Sequence, residues 1–537
     1  MKLPNINYLL KDLGITTPEA RAALASEMQK AANGDYGYID MAGGVHTREE
    51  LGIQKDATNQ IGVVTGLGLL GLPLEAPAKL LYPVPTLLVN RLPREVTGGA
   101  SVTFRKITAI NSTNVWGSVA EASDSTTGRN TRGAYNEANI TYNFRTIEME
   151  TMLTPEALFG SNSRITPGQD FQAADITRLT LLQMTKLAEE KMLLGGNVTL
   201  LAAPLAGTAG STAGLATGLG SLTASTAYYF RISALTLQGY LNSSTGHASA
   251  DANGETPATN EGTITTAAGG NPGDKSINVK FVAIPGAVAY NVFVGTSTGN
   301  ANCKYVATIF STAFTIFSTT LLTNTYNVTG AAPDTHSNNV GNTGDLSANA
   351  LDYDGLIGQC CKVAFSPGYY LAVTEGATLT ADGTGGVNEL DVAFKAFYDK
   401  YKSDVDEIFV ATTQKKKIDQ ISTGSSSPVY RIDVKAGDLN VTGSLGVRSV
   451  ANRYMGNDCP VTVHPFLPSG TILFVNYALG PYYPGSNVGE NIKVFLGWDY
   501  RFVDFTAAKR AQEFGMDLSE ALVVYANFML GGIQGLS

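Results

Sequence analysis

Residues Gln169–Asn197 read QDFQAADITRLTLLQMTKLAEEKMLLGGN, and the fold turns on how this stretch winds. At about 100° per residue, Ala174, Leu181, Met184, Ala188 and Met192 fall on one stripe. Ile176, Leu179, Leu187 and Leu194 fall on a second, roughly opposite stripe, with Asp175, Arg178, Lys186 and Glu189 between them on one side. Two apolar stripes predict a helix that packs on two sides at once, a spine rather than a surface helix. Gly195-Gly196 is expected to end it in the left-handed conformation that glycine adopts without penalty.

Ahead of the spine, Ala100–Ile110 (ASVTFRKITAI) sets Val102 and Phe104 on one face, and Asn139–Met152 (NITYNFRTIEMETM) sets Ile140, Tyr142 and Phe144 on one face. Both have the strand period, and the polar, Gly-rich segment between them predicts a long hairpin. A ribbon of two strands is not stable alone in water, so it is expected to lie on another subunit or domain. Further back, Thr17 and Pro18 cap and open a helix that runs to Gly34, and the segment from Asp35 to Ala57 reads as an extended arm. Gly66-Leu67-Gly68-Leu69-Leu70-Gly71 is a formal GxGxxG. Pro73 and Pro77 break the helix that a dinucleotide site needs next, so it reads as an apolar linker.

Beyond the spine, residues 199–348 change character, with Arg231, Lys275, Lys280 and Lys304 the only basic residues. Strands are predicted at Ala227–Leu235, Ile277–Ile284, Ala289–Val294, Tyr305–Ile309 and Ala313–Ile316, with turn residues between them, as in a β-sandwich. The segments YYFRISALTLQGY and VAIPGAVAYNVFVG resemble those of fibronectin-III or immunoglobulin-like modules, in rotated order. The segment reads as self-contained, such that removing 203–343 would leave a chain that folds around the spine. From residue 349 the pattern returns to mixed α/β. A helix starts near Asn388 with Leu390, Ala393, Phe394, Phe397 and Tyr401 on one face, followed by a strand at Glu407–Ala411 and a helix at Thr412–Ser422. Strands Pro460–His464 and Thr471–Asn476 are joined through a Pro-Ser-Gly turn, and residues 490–534 add further strands.

The 537 residues carry a net charge of −9 with no basic block, which argues against sequence-specific nucleic-acid binding. Charged residues make up 15%, below the usual figure of about 25%. The chain has no apolar N-terminal signal segment and no apolar run long enough to span a bilayer, so a soluble protein made in the cytoplasm is expected. Cys303, Cys360, Cys361 and Cys459 form no CxxC pair and read as buried free thiols. The histidines His46, His247, His336 and His464 fall in no metal or catalytic spacing, and His464 before Pro465 reads as structural. Asp352-Tyr353-Asp354 reads as two solvated carboxylates, since the rest of a calcium loop is missing. No catalytic, cofactor or metal residue is assigned, and the chain is expected not to be an enzyme.

An arm, a long hairpin, a spine helix and a closing α/β region together resemble the HK97-like major capsid proteins of tailed bacteriophages. VWGSVAEASDS (Val115–Ser125) is similar to that family's E-loop. LAEEKMLLGGN (Leu187–Asn197) is similar to the end of its spine, and CPVTVHPFLPSGTILFVNYAL (Cys459–Leu479) to its strand, turn and strand. The resemblance implies an α+β capsid fold with an arm at 1–75 and a first P-domain part at 76–198, containing the E-loop at about 97–153 and the spine at about 169–195. An immunoglobulin-like sandwich is inserted at 199–348, an A-domain follows at 349–480, and 481–537 returns to the P-domain. It implies a self-assembling head subunit that forms hexamers and pentamers of an icosahedral shell around double-stranded DNA, without sequence-specific contact. Assembly in the host cytoplasm, scaffolding and portal partners, no cofactor and no membrane go with it. Insertions of this kind project from the shell surface in the family. Arg105, Lys106, Trp116, Glu121, Asp124, Arg129 and Arg132 are the implied intersubunit contacts of the E-loop. An encapsulin-like compartment shell, or a binding module acting through the sandwich, are the alternatives.

Overall fold

The computed structural model describes residues 36–39, 45–47, 82–111, 134–154, 173–202, 208–210, 220–241, 254–258, 261–266, 268, 275–298, 303–318, 345–383, 385–424, 446–480, 482–483, 487–505 and 512–537. The capped helix before Gly34, the GxGxxG segment and the hairpin tip lie outside them. Residues 1–81 form one unit, in which β1 (Tyr36–Ile39) pairs antiparallel with β2 (Val45–Thr47). Residues 82–537 form the second unit.

That second unit is α+β and opens with helix α1 (Leu87–Arg91) and strand β3 (Arg94–Val96). Strands β4 (Ser101–Asn111), β5 (Ala134–Asn143) and β6 (Arg145–Leu153) follow, then the spine, α2 (Ala173–Gly195). The spine lies on a four-stranded sheet of order β3-β19-β20-β6, built around the long antiparallel pair β19 (Ile492–Phe505) and β20 (Gln512–Val524). Leu181 packs with Phe514 and Met516, while Leu193 and Leu194 join a core with Ile147, Leu518 and Leu522.

The two-stripe reading of the spine needs correction. The buried row is Leu181, Thr185, Glu189, Glu190, Leu193 and Leu194, whereas Leu179 and Met184 are 52% and 50% exposed. A polar pair occupies the place expected of a second apolar stripe, because its carboxyls find partners inside the fold. The glycine stop also acts differently: neither Gly195 nor Gly196 has positive φ. A Cβ at Gly195 would sit 2.3 Å from Leu237 Cδ2, and one at Gly196 2.4 Å from the Tyr353 carbonyl. Close approach, and not backbone handedness, is what requires glycine there.

The insert contains strands β7 (Thr208–Gly210), β8 (Ala227–Leu235), β9 (Gly262–Thr265), β10 (Ile277–Lys280), β11 (Ala289–Gly295), β12 (Lys304–Ile309) and β13 (Ala313–Ile316). A short helix, α3 (Leu237–Leu241), follows β8. The strands form a sheet of order β13-β10-β7 and another of order β12-β11-β8-β9, every pairing antiparallel. Phe230, Ile232, Val279, Tyr290, Val292 and Ile316 from both sheets share one apolar core.

The insert is not self-contained. Ala283 N–H donates to the Val373 carbonyl at 3.1 Å. The buried Gln534 side chain accepts from Gly286 N–H at 2.9 Å and donates to the Ala287 carbonyl at 3.1 Å. Leu235, Leu237, Val288 and Ala289 belong to the same core as Leu193 and Leu194 of the spine.

The remaining elements are helices α4 (Leu356–Cys361), α5 (Asn388–Tyr401) and α6 (Thr412–Gly424) around a six-stranded mixed sheet. Its order is β14 (Tyr369–Ala372), β21 (Gly531–Gln534), β18 (Thr471–Val475), β15 (Glu407–Val410), β17 (Asp458–Val463) and β16 (Ser449–Ala451). Leu390, Phe394 and Phe397 of α5 pack on Ile408, Ile472 and Phe474. Cys360, Cys361, Phe409 and Leu473 pack with the spine. Strands β17 and β18, which the Pro-Ser-Gly turn joins, both pair with β15, which lies between them, parallel to β17 and antiparallel to β18. One expectation fails here. Residues 481–537 do not all return to the spine sheet. After β20 the chain crosses over, and β21 inserts between β14 and β18.

Candidate functional site: the spine joint and the hairpin

Glu190 points from the spine at the start of α1. It accepts N–H bonds from Leu87 (2.9 Å), Leu88 (2.9 and 3.0 Å) and Val89 (2.9 Å). His464 Nε2 lies 2.9 Å from the same carboxylate, and both side chains are fully buried. Phe466 N–H donates to His464 Nδ1 at 3.2 Å, which leaves Nε2–H to donate to Glu190. The structural reading of His464 therefore has a mechanism: it orients the link from β17 to β18 against the spine. From the other end of α1, Arg91 pairs with Glu407 of β15 at 2.8 Å, which also accepts from Thr462 and Tyr477 hydroxyls at 2.6 and 2.7 Å. The short helix thus fastens both the spine and the six-stranded sheet.

One residue earlier on the spine, Glu189 faces Arg94 at 2.9 Å and accepts the Tyr500 hydroxyl of β19. Glu520 of β20 accepts the Tyr353 hydroxyl at 2.6 Å, and both carboxyls are fully buried. Burial raises both above the usual carboxylate range, Glu520 strongly.

Asp354, expected in solvent, is buried. It pairs with Lys362 Nζ at 2.9 Å and accepts Thr199 Oγ–H at 3.0 Å. Lys362 also donates to Asn197 and to Thr199, so it ties both ends of the insert together. Desolvation lowers the pKa of this ammonium. Asp352 is raised to about 6, first by burial and then by Asp354, against the Asn197 N–H and Arg145. A raised folded pKa gives stability that is complete below the unfolded value and is lost as pH rises toward 6. Asp352→Asn is therefore expected to flatten the stability profile between about pH 4 and 6, with a gain on the order of 1–3 kcal/mol at neutrality. Urea unfolding at both ends of that window checks it.

The hairpin of β4 and β5 pairs with no other strand among the described residues, its register running from Ser101↔Asn143 to Asn111↔Ala134. Val102, Phe104, Ile140 and Tyr142 form its half-buried face, as their alternation predicts. Phe104 meets the Tyr525 ring at 4.8 Å, and the Tyr142 hydroxyl donates to the Val524 carbonyl at 3.1 Å. Beneath lies a cleft of 710 Å³ lined by Lys106, Tyr142, Arg145, Asp352, Tyr401 and Phe528. Of the proposed contacts, Arg105 is exposed and faces Glu137 (3.6 Å) and Asn139 (3.4 Å) across the hairpin. Lys106 turns the other way, 5.4 Å from the Phe528 ring centroid, and desolvation lowers its pKa. Trp116, Glu121, Asp124, Arg129 and Arg132 lie outside the described residues.

Sequence reasoning missed Glu189, Glu190, Arg94 and Glu520 as a group. The available signal was an adjacent Glu pair in the spine's most apolar turn. All four cysteines are buried and free, and no His, Cys, Asp and Glu cluster among the described residues could hold a metal. No helix among them is long and apolar enough to cross a membrane.

No family model and no curated protein matches the chain. Solved structures similar to it include one titled Microbacterium phage Oxtober96, at 8% identity, covering 87% of this chain and 96% of that one, with a TM-score of 0.38. The capsid of a native GTA particle is 11% identical over 90% and 100% of the two chains, with a TM-score of 0.36. The holo-SrpI encapsulin complex from Synechococcus elongatus PCC 7942 is 10% identical over 86% and 93%, with a TM-score of 0.32. At identities and scores this low these likenesses carry no functional argument, which rests on the chain's own elements.

Proposed function

We propose that this chain is a shell-forming subunit of the HK97-like type, a major capsid protein whose hexamers and pentamers close an icosahedral phage head. In this reading the hairpin is the E-loop, and the spine with its four-stranded sheet is the P-domain. The six-stranded sheet is the A-domain, and the insert is an immunoglobulin-like sandwich. Packaged double-stranded DNA, a scaffolding protein and a portal are the partners. The role is structural and not enzymatic.

The observation that carries the reading is the hairpin. Among the described residues its two strands join no larger sheet, and Thr103, Arg105, Ile107, Asn139 and Thr141 are exposed on its outer face. A ribbon of this length gains stability by lying on a neighbour. Trimming the hairpin beyond Lys106 and Ala138 to a short turn spares Phe104 and Tyr142, the anchors on the chain's own body. The trimmed chain is expected to stay folded by circular dichroism yet sediment only as small species, where the full chain forms large ones. Equal sedimentation of the two would overturn the assignment. Nucleic acid inside the particles supports a phage head, and protein cargo supports an encapsulin-like compartment.

A further inference from the structure

Along β4 every second side chain is half-buried, so Val102, Phe104 and Lys106 share the inner face of the hairpin. An apolar row thus ends in an ammonium turned toward the body of the chain. Lys106 Nζ lies 5.4 Å from the Phe528 ring centroid and has no carboxylate or hydrogen-bond acceptor among the described residues. The ring face offsets part of the cost of drying a cation, but three N–H donors still call for an oxygen. Lys106 also lines the 710 Å³ cleft between the hairpin and the body, a volume within the range of small-molecule sites, about 300–1,000 Å³. Phe528 and Tyr401, with ring centroids 5.0 Å apart, give that cleft an aromatic wall. The other charged side chains of its described lining are Arg145, Asp352 and Asp354. Asp354 is paired with Lys362. Arg145 donates Nε–H to the Asp352 carbonyl at 3.0 Å, and its charge acts on the Asp352 carboxyl. Lys106 is left as the uncommitted cation.

We propose that this cleft is a binding site for a small amphipathic anion, a single acidic group on an apolar or aromatic body. Lys106 Nζ takes the acidic group as a charge-assisted hydrogen bond, which is worth most where water is partly excluded. Phe528 and Tyr401 take the body, and the Ile140 and Tyr142 side chains of β5 stand on the hairpin side of the same cleft. Asp352 is the one lining carboxyl without a lysine partner, and Arg145 beside it supplies the counter-charge. A dianion or a bulky polyanion fits less well, since one free ammonium answers one negative charge. The walls come from separate parts of the fold: Lys106 from β4, Ile140 and Tyr142 from β5, Tyr401 from the end of α5, and Phe528 from the link between β20 and β21. A bound ligand therefore ties the base of the hairpin to the body, as the Phe104 and Tyr142 contacts do without it. The inference does not depend on what the chain assembles into.

Two fluorescent probes of nearly the same shape test this on the full chain, anilinonaphthalene sulfonate with one negative charge and phenylnaphthylamine with none. The sulfonate is expected to bind the wild type saturably, and about tenfold or more tighter than the neutral probe. Lys106→Met is expected to weaken the sulfonate by about tenfold while leaving the neutral probe unchanged, and Lys106→Arg is expected to keep the preference for charge. Circular dichroism confirms that the variants are folded, and Lys106→Gln replaces Lys106→Met with the same expectation should the latter not fold. Absence of saturable sulfonate binding to the wild type overturns the proposal. So does an equal affinity of the wild type for both probes, or a sulfonate affinity that the loss of the Lys106 charge does not change.

Discussion

Glu190→Ala is expected to destabilise the chain by about 3–5 kcal/mol, because it removes one partner of a buried, charge-assisted network. Three backbone N–H groups at the start of α1 and His464 Nε2 lose their acceptor at once. No water-filled surface is at hand to replace it, since Glu190 and His464 are fully buried. The loss propagates, because α1 carries Arg91 to Glu407 of the six-stranded sheet. Glu190→Gln keeps an acceptor oxygen for the backbone groups but sets an amide where a second acceptor stood, so a smaller loss is expected. Chemical denaturation of the three proteins at one pH gives the ranking. A stability for Glu190→Ala within about 0.5 kcal/mol of wild type would show the site solvated and not structural.

Deleting residues 203–343 is expected to prevent folding, contrary to the self-contained insert that the sequence suggests. The deletion removes Leu235, Leu237, Val288 and Ala289 from the core that Leu193 and Leu194 occupy. For Leu235 and Leu237 alone the loss is about 2–5 kcal/mol each, by analogy with large-to-small core substitutions. Gln534 then loses its partners at Gly286 and Ala287, which adds about 1–3 kcal/mol for an unsatisfied buried amide. The sum approaches the whole margin of a typical domain, about 5–15 kcal/mol. The soluble fraction and near-ultraviolet circular dichroism of the deletion chain test this. A soluble chain with a native-like spectrum would restore the independent insert.

Local periodicity made some elements readable. The strands Ala227–Leu235 and Ala313–Ile316 occur with the expected bounds, and α5 buries Leu390, Ala393, Phe394 and Phe397 as its spacing predicts. Alternation likewise identified the inner face of the hairpin. What periodicity could not supply is partnership. In the spine, an apolar stripe and a row of paired carboxyls look different in sequence but are equally buried, because Glu189 and Glu190 find donors far along the chain. Nothing local to the Pro-Ser-Gly turn announces that β15 will lie between β17 and β18. Residues Gly531–Gln534 carry no signal for which sheet they enter. Their glycines make sense only beside Tyr369 and Cys361, since a Cβ at Gly531 would lie 2.5 Å from the Tyr369 carbonyl and one at Gly532 2.5 Å from Cys361 Sγ.

The central claim is that this chain builds a closed shell, with the hairpin reaching over a neighbouring copy. Electron microscopy of the purified full-length protein, with a scaffolding partner where closure needs one, tests it most directly. The account predicts closed particles tiled by hexamers and pentamers, with the β4–β5 ribbon lying across the adjacent subunit. A stable monomer whose whole hairpin folds back on its own body would contradict it.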